Sequence, residues 1–287
     1  MENSRTFRRQ VCARSNGVGI IEALSLPPIL RGFLVLLAAG ALFPLAGVFV
    51  LRLNLITLRF ALMHGALLGG AVGLAAGMNP LWPGIAANML LVLIVSRGSR
   101  SNRLGAGMIT TVAMVVSAGA AFALLYRYNV PAKDALDVLW GNIYALTTTD
   151  AFITLAFGLL LAFFVALQFR PLLALLFDRD VARASGVNIE LQHTVVLFVV
   201  AATVAFTMRL IGALLLDALL ILPGLVATLV ARSTRALFVL SGVFGLISAG
   251  VGFPLSVWLN IPASSAVTLC GAVLLGLAYV RSRIIRH

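Results

Sequence analysis

Charge is what this sequence lacks. Only 10% of its 287 residues are Asp, Glu, Lys or Arg, and acids are the scarcer kind, nine against 21 basic residues. A soluble domain carries about 25% charged residues, so this chain has too little charge to cover a water-facing surface of ordinary size. Cysteine is almost absent. Cys12 and Cys270 lie at opposite ends of the chain, and neither has a cysteine or histidine at ligand spacing, so no disulfide framework or zinc cluster is implied. Enzyme signatures are missing too. There is no His-Glu-x-x-His, no Gly-x-Ser-x-Gly, no paired acidic motif for prenyl diphosphates and no phosphate-cradling P-loop.

What is present is apolar. Hydrophobic residues make up 61% of the chain, and the mean hydropathy is +1.09. A helix needs roughly 20 apolar residues to cross a hydrocarbon core about 30 Å thick, and runs of that length recur along the sequence. In lipid the backbone must satisfy its own hydrogen bonds, which leaves helices or closed barrels. Barrel strands alternate apolar and polar residues, whereas stretches such as 195–205 and 214–222 are apolar on every face. The class is therefore all-α, a polytopic transmembrane helix bundle.

About nine spans are expected, at 33–51, 55–77, 81–96, 105–126, 151–169, 191–208, 210–230, 236–258 and 263–280, with eight possible. The sixth and seventh run nearly together, broken around Arg209. Residues 1–29 read as a basic, amphipathic N-terminal segment and 30–287 as one membrane domain with a short loop helix near 177–187. Arg5, Arg8, Arg9 and Arg14 precede a first apolar run long enough to span, so no cleavable signal is expected.

The net charge of +12 sits in short basic clusters between apolar runs, such as Arg97, Arg100 and Arg103, or Arg281, Arg283 and Arg286. That pattern marks cytoplasmic loops held against anionic lipid; no folded basic domain for nucleic acid is visible. Placing the tail inside makes Arg232/Arg235, the loop from Arg170 to Arg183, Arg97–Arg103 and Arg52–Arg59 cytoplasmic. The alternation then puts the N-terminus outside despite its four arginines. Either one segment does not cross, or residues 17–30 dip into the membrane.

Ionisable groups inside spans are costly, about 2.5–3.5 kcal/mol at mid-helix on insertion scales, and two stand out. His64 lies among small residues in the second span. It is either a core histidine bonded to a neighbouring helix or a cation or proton relay point. Asp217 lies among leucines in the seventh. It either pairs with a cation, for which Arg209 is two turns away on roughly the same face, or marks a cation or proton pathway. Backbone carbonyls freed near Pro223 could add oxygen ligands. Between spans, the segment from Phe177 to Val187 mixes charges on one turn with small residues on the next, which suits either a solvated loop helix or docking into a partner's groove.

Taken in order, several segments resemble the permease family of zinc, manganese and iron ABC importers (ABC-3 type). They are Gly47-Val48-Phe49-Val50-Leu51-Arg52, His64-Gly65-Ala66-Leu67-Leu68-Gly69, Leu139-Trp140-Gly141-Asn142 with Asp150, Phe177-Asp178-x-Asp180-x-Ala182-x-x-x-Gly186-Val187, Gly212-Ala213-Leu214-Leu215-x-x-Ala218-Leu219-Leu220-Ile221-Leu222-Pro223, and 256–262. The likeness covers roughly 23–280. It implies a multi-pass protein of the bacterial inner membrane, homodimeric or pseudo-dimeric, that binds no cofactor itself. Its partners would be a cytoplasmic ABC ATPase holding the ATP and an extracytoplasmic metal-binding protein, and its cargo a divalent metal, zinc or manganese, with iron possible. Asp178, Asp180, Ala182, Ser185 and Gly186 would then couple to the ATPase.

Two departures matter. The family aspartate one turn before the histidine is Phe60 here, and the proline after it is Leu68. The missing acid keeps open a permease for metal chelates or a vitamin B12-like substrate; a non-transport multispan protein is the other alternative. Our expectation is that Asp217 supplies the missing carboxylate, paired with His64 across the bundle as metal ligands.

Overall fold

The computed structural model describes residues 26–98, 105–131, 133, 143, 146–177 and 188–285. Twelve helices are numbered here in chain order: α1 (Pro27–Leu42), α2 (Pro44–Arg52), α3 (Ile56–Ala75), α4 (Leu81–Gly98), α5 (Ala106–Arg127), α6 (Thr148–Leu167), α7 (Phe169–Phe177), α8 (Ile189–Ile211), α9 (Ala213–Leu220), α10 (Leu222–Val230), α11 (Thr234–Leu259) and α12 (Ala263–Ile285). Among the described residues they provide nine segments long and apolar enough to cross a membrane, and no strand. The nine agree with the hydropathy reading, although the first begins at Pro27 rather than Phe33.

Local chemistry sets the ends. Asp150 N donates to Thr147 Oγ1 (3.1 Å) while Thr147 N donates to Asp150 Oδ2 (2.9 Å), a reciprocal box that starts α6. Asn188 and Ser233 cap α8 and α11 with a single bond each, accepting from Leu191 N and Ala236 N. Proline breaks the ladder by removing an N–H. Pro44 thus separates α1 from α2 inside one 26-residue span, and Pro223 sits in the first turn of α10 after the break at Ile221.

The sixth and seventh spans part close to Arg209, at Gly212. Gly212 has φ 89° and ψ 165°, a region essentially restricted to glycine, whereas Arg209 stays within α8. The seventh span is therefore discontinuous: α9 is an eight-residue piece with a break at either end.

Two groups of helices form. In one, α11 packs on α1, α10 and α12, with α9 against α12; in the other, α3 packs on α4 and α5. The long α8 joins them, touching α3 and α4 on one side and α2 and α9 on the other. Lipid is as apolar as leucine, so close fit rather than water exclusion holds such helices. At the α1–α11 crossing the backbones nearly touch: a methyl on Gly40 would stand 2.7 Å from the Gly245 carbonyl oxygen. Phe43, Phe49 and Phe253 are wholly buried, while Phe152, Leu159, Val239 and Leu277 point outward, as a lipid-facing surface requires.

Candidate functional site

The polar centre of the bundle lies where α3 meets α9. Arg59, on the first turn of α3, is 3% exposed, and its Nη1 forms an ion pair with Asp217 Oδ1. The guanidinium carbon also lies 4.2 Å from the centre of the Phe60 ring, and Nη1 reaches Met63 Sδ at 3.7 Å. Nε is buried without a hydrogen-bond partner. The charge pattern of the sequence groups Arg59 with the cytoplasmic arginines and offers Arg209 as the partner of Asp217. The structure instead places Arg59 inside a span and makes it that partner.

Asp217 turns outward between buried neighbours. Leu215, Leu216, Ala218, Leu219 and Leu220 are all buried, yet the Asp217 side chain is 41% exposed. Its Oδ1, the atom paired with Arg59, is fully covered, so the exposure falls on the rest of the side chain.

His64 is partly buried in α3. Its Nδ1 lies 2.8 Å from the Phe60 carbonyl oxygen. A carbonyl only accepts, so in the neutral ring Nδ1 carries the hydrogen and Nε2 presents its lone pair, the atom a cation would use. No hydrogen bond or ion pair joins His64 to Asp217 among the described residues; each takes a separate partner. Nor do the described residues hold any group of three or more His, Cys, Asp or Glu suited to a metal.

Two further polar features escaped the sequence reading. Asn88 on α4 is wholly buried beside Gly65 and donates from Nδ2 to the Ala201 carbonyl on α8 (3.1 Å). Its signal was an amide in an otherwise apolar run. A cavity of about 470 Å³ opens between the start of α3, the end of α4, and α5 and α8, lined in part by Asn54, Ser96, Thr110, Glu190 and His193. Its signal was the pair Glu190 and His193, one turn apart. The segment holding Asp178, Asp180, Ala182, Ser185 and Gly186 lies outside the described residues. Its approach is firmly seated: on α7, Leu172 is buried and Phe169 packs edge-on to Phe238 of α11 under Arg235.

Comparison with known proteins settles the family. The chain matches the ABC 3 transport family (ABC-3) over residues 25–282. It belongs to that family. A manganese transport system membrane protein, MntC of Halalkalibacterium halodurans, is 23% identical over 84% of this chain and 82% of its own length. The manganese import system permease protein ScaB of Streptococcus parasanguinis is 26% identical over 83% and 84%. Among solved structures, PsaBC from Streptococcus pneumoniae, in complex with Fab, shares the fold with a TM-score of 0.82 at 22% identity, covering 91% of this chain and 94% of that one. With nine segments among its described residues long and apolar enough to cross a membrane, this ABC 3 family chain is a multi-pass membrane protein.

Proposed function

We propose that this chain is the membrane permease subunit of an ABC importer for a divalent metal ion, with manganese favoured over zinc or iron. The observation that carries the reading is Asp217: a carboxylate turned 41% outward from a broken span whose neighbours are buried. A charge facing lipid at that position would be costly, so the face belongs against a second copy of the chain or along an aqueous ion path. Discontinuous helices are where transporters build such paths. Manganese is favoured because the relatives named above carry that metal in their names.

His64, through Nε2, and the Asp217 carboxylate are separate contact points for the passing ion rather than one ligand pair. Imidazole and carboxylate suit manganese as well as zinc, so selectivity is left largely to the extracytoplasmic metal-binding protein. Work comes from a separate cytoplasmic ATPase, met by Asp178, Asp180, Ala182, Ser185 and Gly186; this chain is not itself an enzyme. It acts as a homodimer in the bacterial inner membrane, where rocking of the two copies carries ATP energy to the path.

The test is radiolabelled manganese uptake in cells lacking this chain, with and without it restored. Restored uptake is expected. None, with the chain present in the membrane, would overturn the reading.

A further inference from the structure

We infer that Arg59 is a tethered cation that occupies the Asp217 carboxylate when no metal is there, and that a passing divalent ion must displace it. The inference rests on the importer reading and deepens it: Arg59 sets the affinity of the Asp217 contact and bars monovalent cations from it.

Three features of the pair support this role. Arg59 is 3% exposed and forms an ion pair with Asp217, so its charge is held inside the bundle chiefly by that one carboxylate. Its contacts with the Phe60 ring face and the Met63 thioether favour a cation but bring no second charge, and its Nε is buried without a hydrogen-bond partner. The Asp217 side chain, for its part, is 41% exposed although the paired oxygen is covered, so an ion can approach the carboxylate from the side away from Arg59.

Charge then decides the exchange. At equal distance a divalent ion attracts the carboxylate twice as strongly as a guanidinium does, whereas a monovalent ion gains nothing over the arginine already present. The carrier of Asp217 can also yield: α9 is eight residues long, broken at Gly212 and again at Ile221, so it can shift without unwinding α8 or α10.

The test compares Arg59→Gln, Asp217→Asn and the double variant, each full-length in membranes. Two readouts are taken: manganese binding to the purified chain, and manganese uptake with sodium or potassium as competitor. Without its competitor the carboxylate should bind manganese more tightly, so Arg59→Gln is expected to lower the dissociation constant about tenfold or more and to make uptake sensitive to monovalent ions. Asp217→Asn and the double variant should both lose the tight binding. Unchanged or weaker binding in Arg59→Gln, or wild-type uptake by the double variant, would overturn the proposal and leave the pair a structural latch. If Arg59→Gln fails to assemble, Arg59→Met, which fills the same space without leaving a buried polar group unpaired, takes its place with the same expected and overturning results; failure of both to assemble overturns the proposal and leaves the pair a structural latch. Wild-type uptake tests the importer reading separately, because binding to the purified chain is read whether or not that uptake is restored.

Discussion

Gly65 of α3 packs closely against the buried amide of Asn88 on α4, and the contact can be tested by filling it. A methyl added at Gly65 would stand 2.6 Å from Asn88 Oδ1 and 3.0 Å from Leu91 Cδ1. The leucine tip can swing away. The amide cannot, because its Nδ2 is tied to the Ala201 carbonyl at 3.1 Å and the residue is wholly buried. Clearing the methyl requires the amide oxygen to retreat by about 0.8 Å, which stretches or breaks that bond. Overpacking costs about 1–3 kcal/mol, and an interhelical bond in a membrane protein is worth about 0.6 kcal/mol, at most about 1.7. Replacing a helical glycine by alanine returns roughly 0.5–1 kcal/mol. The expected net loss for Gly65→Ala is therefore about 1–3 kcal/mol.

Asn88→Ala loses the same bond but also removes Oδ1, a buried oxygen with no partner, whose burial costs about 1–3 kcal/mol. That change should be milder, about 0–2 kcal/mol. Combined, the methyl enters the space the amide has left, and the double variant should be more stable than the sum of the two by about 1–2 kcal/mol. Thermal unfolding of the detergent-solubilised chain, followed by circular dichroism, measures all three. Additivity within about 0.5 kcal/mol would show that Asn88 and Gly65 do not share the space the geometry assigns them, and the reasoning would fail.

Three other outcomes follow from single contacts. A methyl at Gly47 would overlap the Leu220 carbonyl oxygen, and backbone cannot step aside as a side chain can. Gly47→Ala should cost about 3 kcal/mol or more and remove the monodisperse peak in size-exclusion chromatography. Gly212→Ala forces a side chain into φ 89°, ψ 165°, a strain of about 1–3 kcal/mol, read as a lower unfolding midpoint; an unchanged midpoint would mean the break lies elsewhere. Thr147→Ala deletes one half of the reciprocal box with Asp150 and should cost about 1 kcal/mol, with Thr147→Ser recovering most of it.

Most of the architecture could be read from the sequence because a span advertises itself locally: about 20 apolar residues in a row leave the backbone no partner but itself. The capping of α6 by Thr147 and Asp150 is equally local, though it was not foreseen. The site was legible only in halves. His64 and Asp217 were found because an ionisable group among leucines and glycines is conspicuous. Arg59 reads in the sequence as one of the cytoplasmic cluster from Arg52 to Arg59, although it falls inside the second apolar run. Arg209 was offered as the partner of Asp217 because only neighbours along the chain are visible in one sequence.

What the sequence determined by itself is therefore the class, about nine segments apolar enough to span and the presence of costly charges within them, since each is a property of a contiguous stretch meeting lipid. Only the tertiary structure decided which charge meets which. Arg59 and Asp217 lie on helices far apart in the chain and are brought together by packing of α3 and α9 around α8. The break at Gly212 sets the start of α9 and hence which of its faces turns outward. That pairing is a property of the folded bundle, because an ion pair forms between surfaces and the order of residues along one helix does not specify its neighbour.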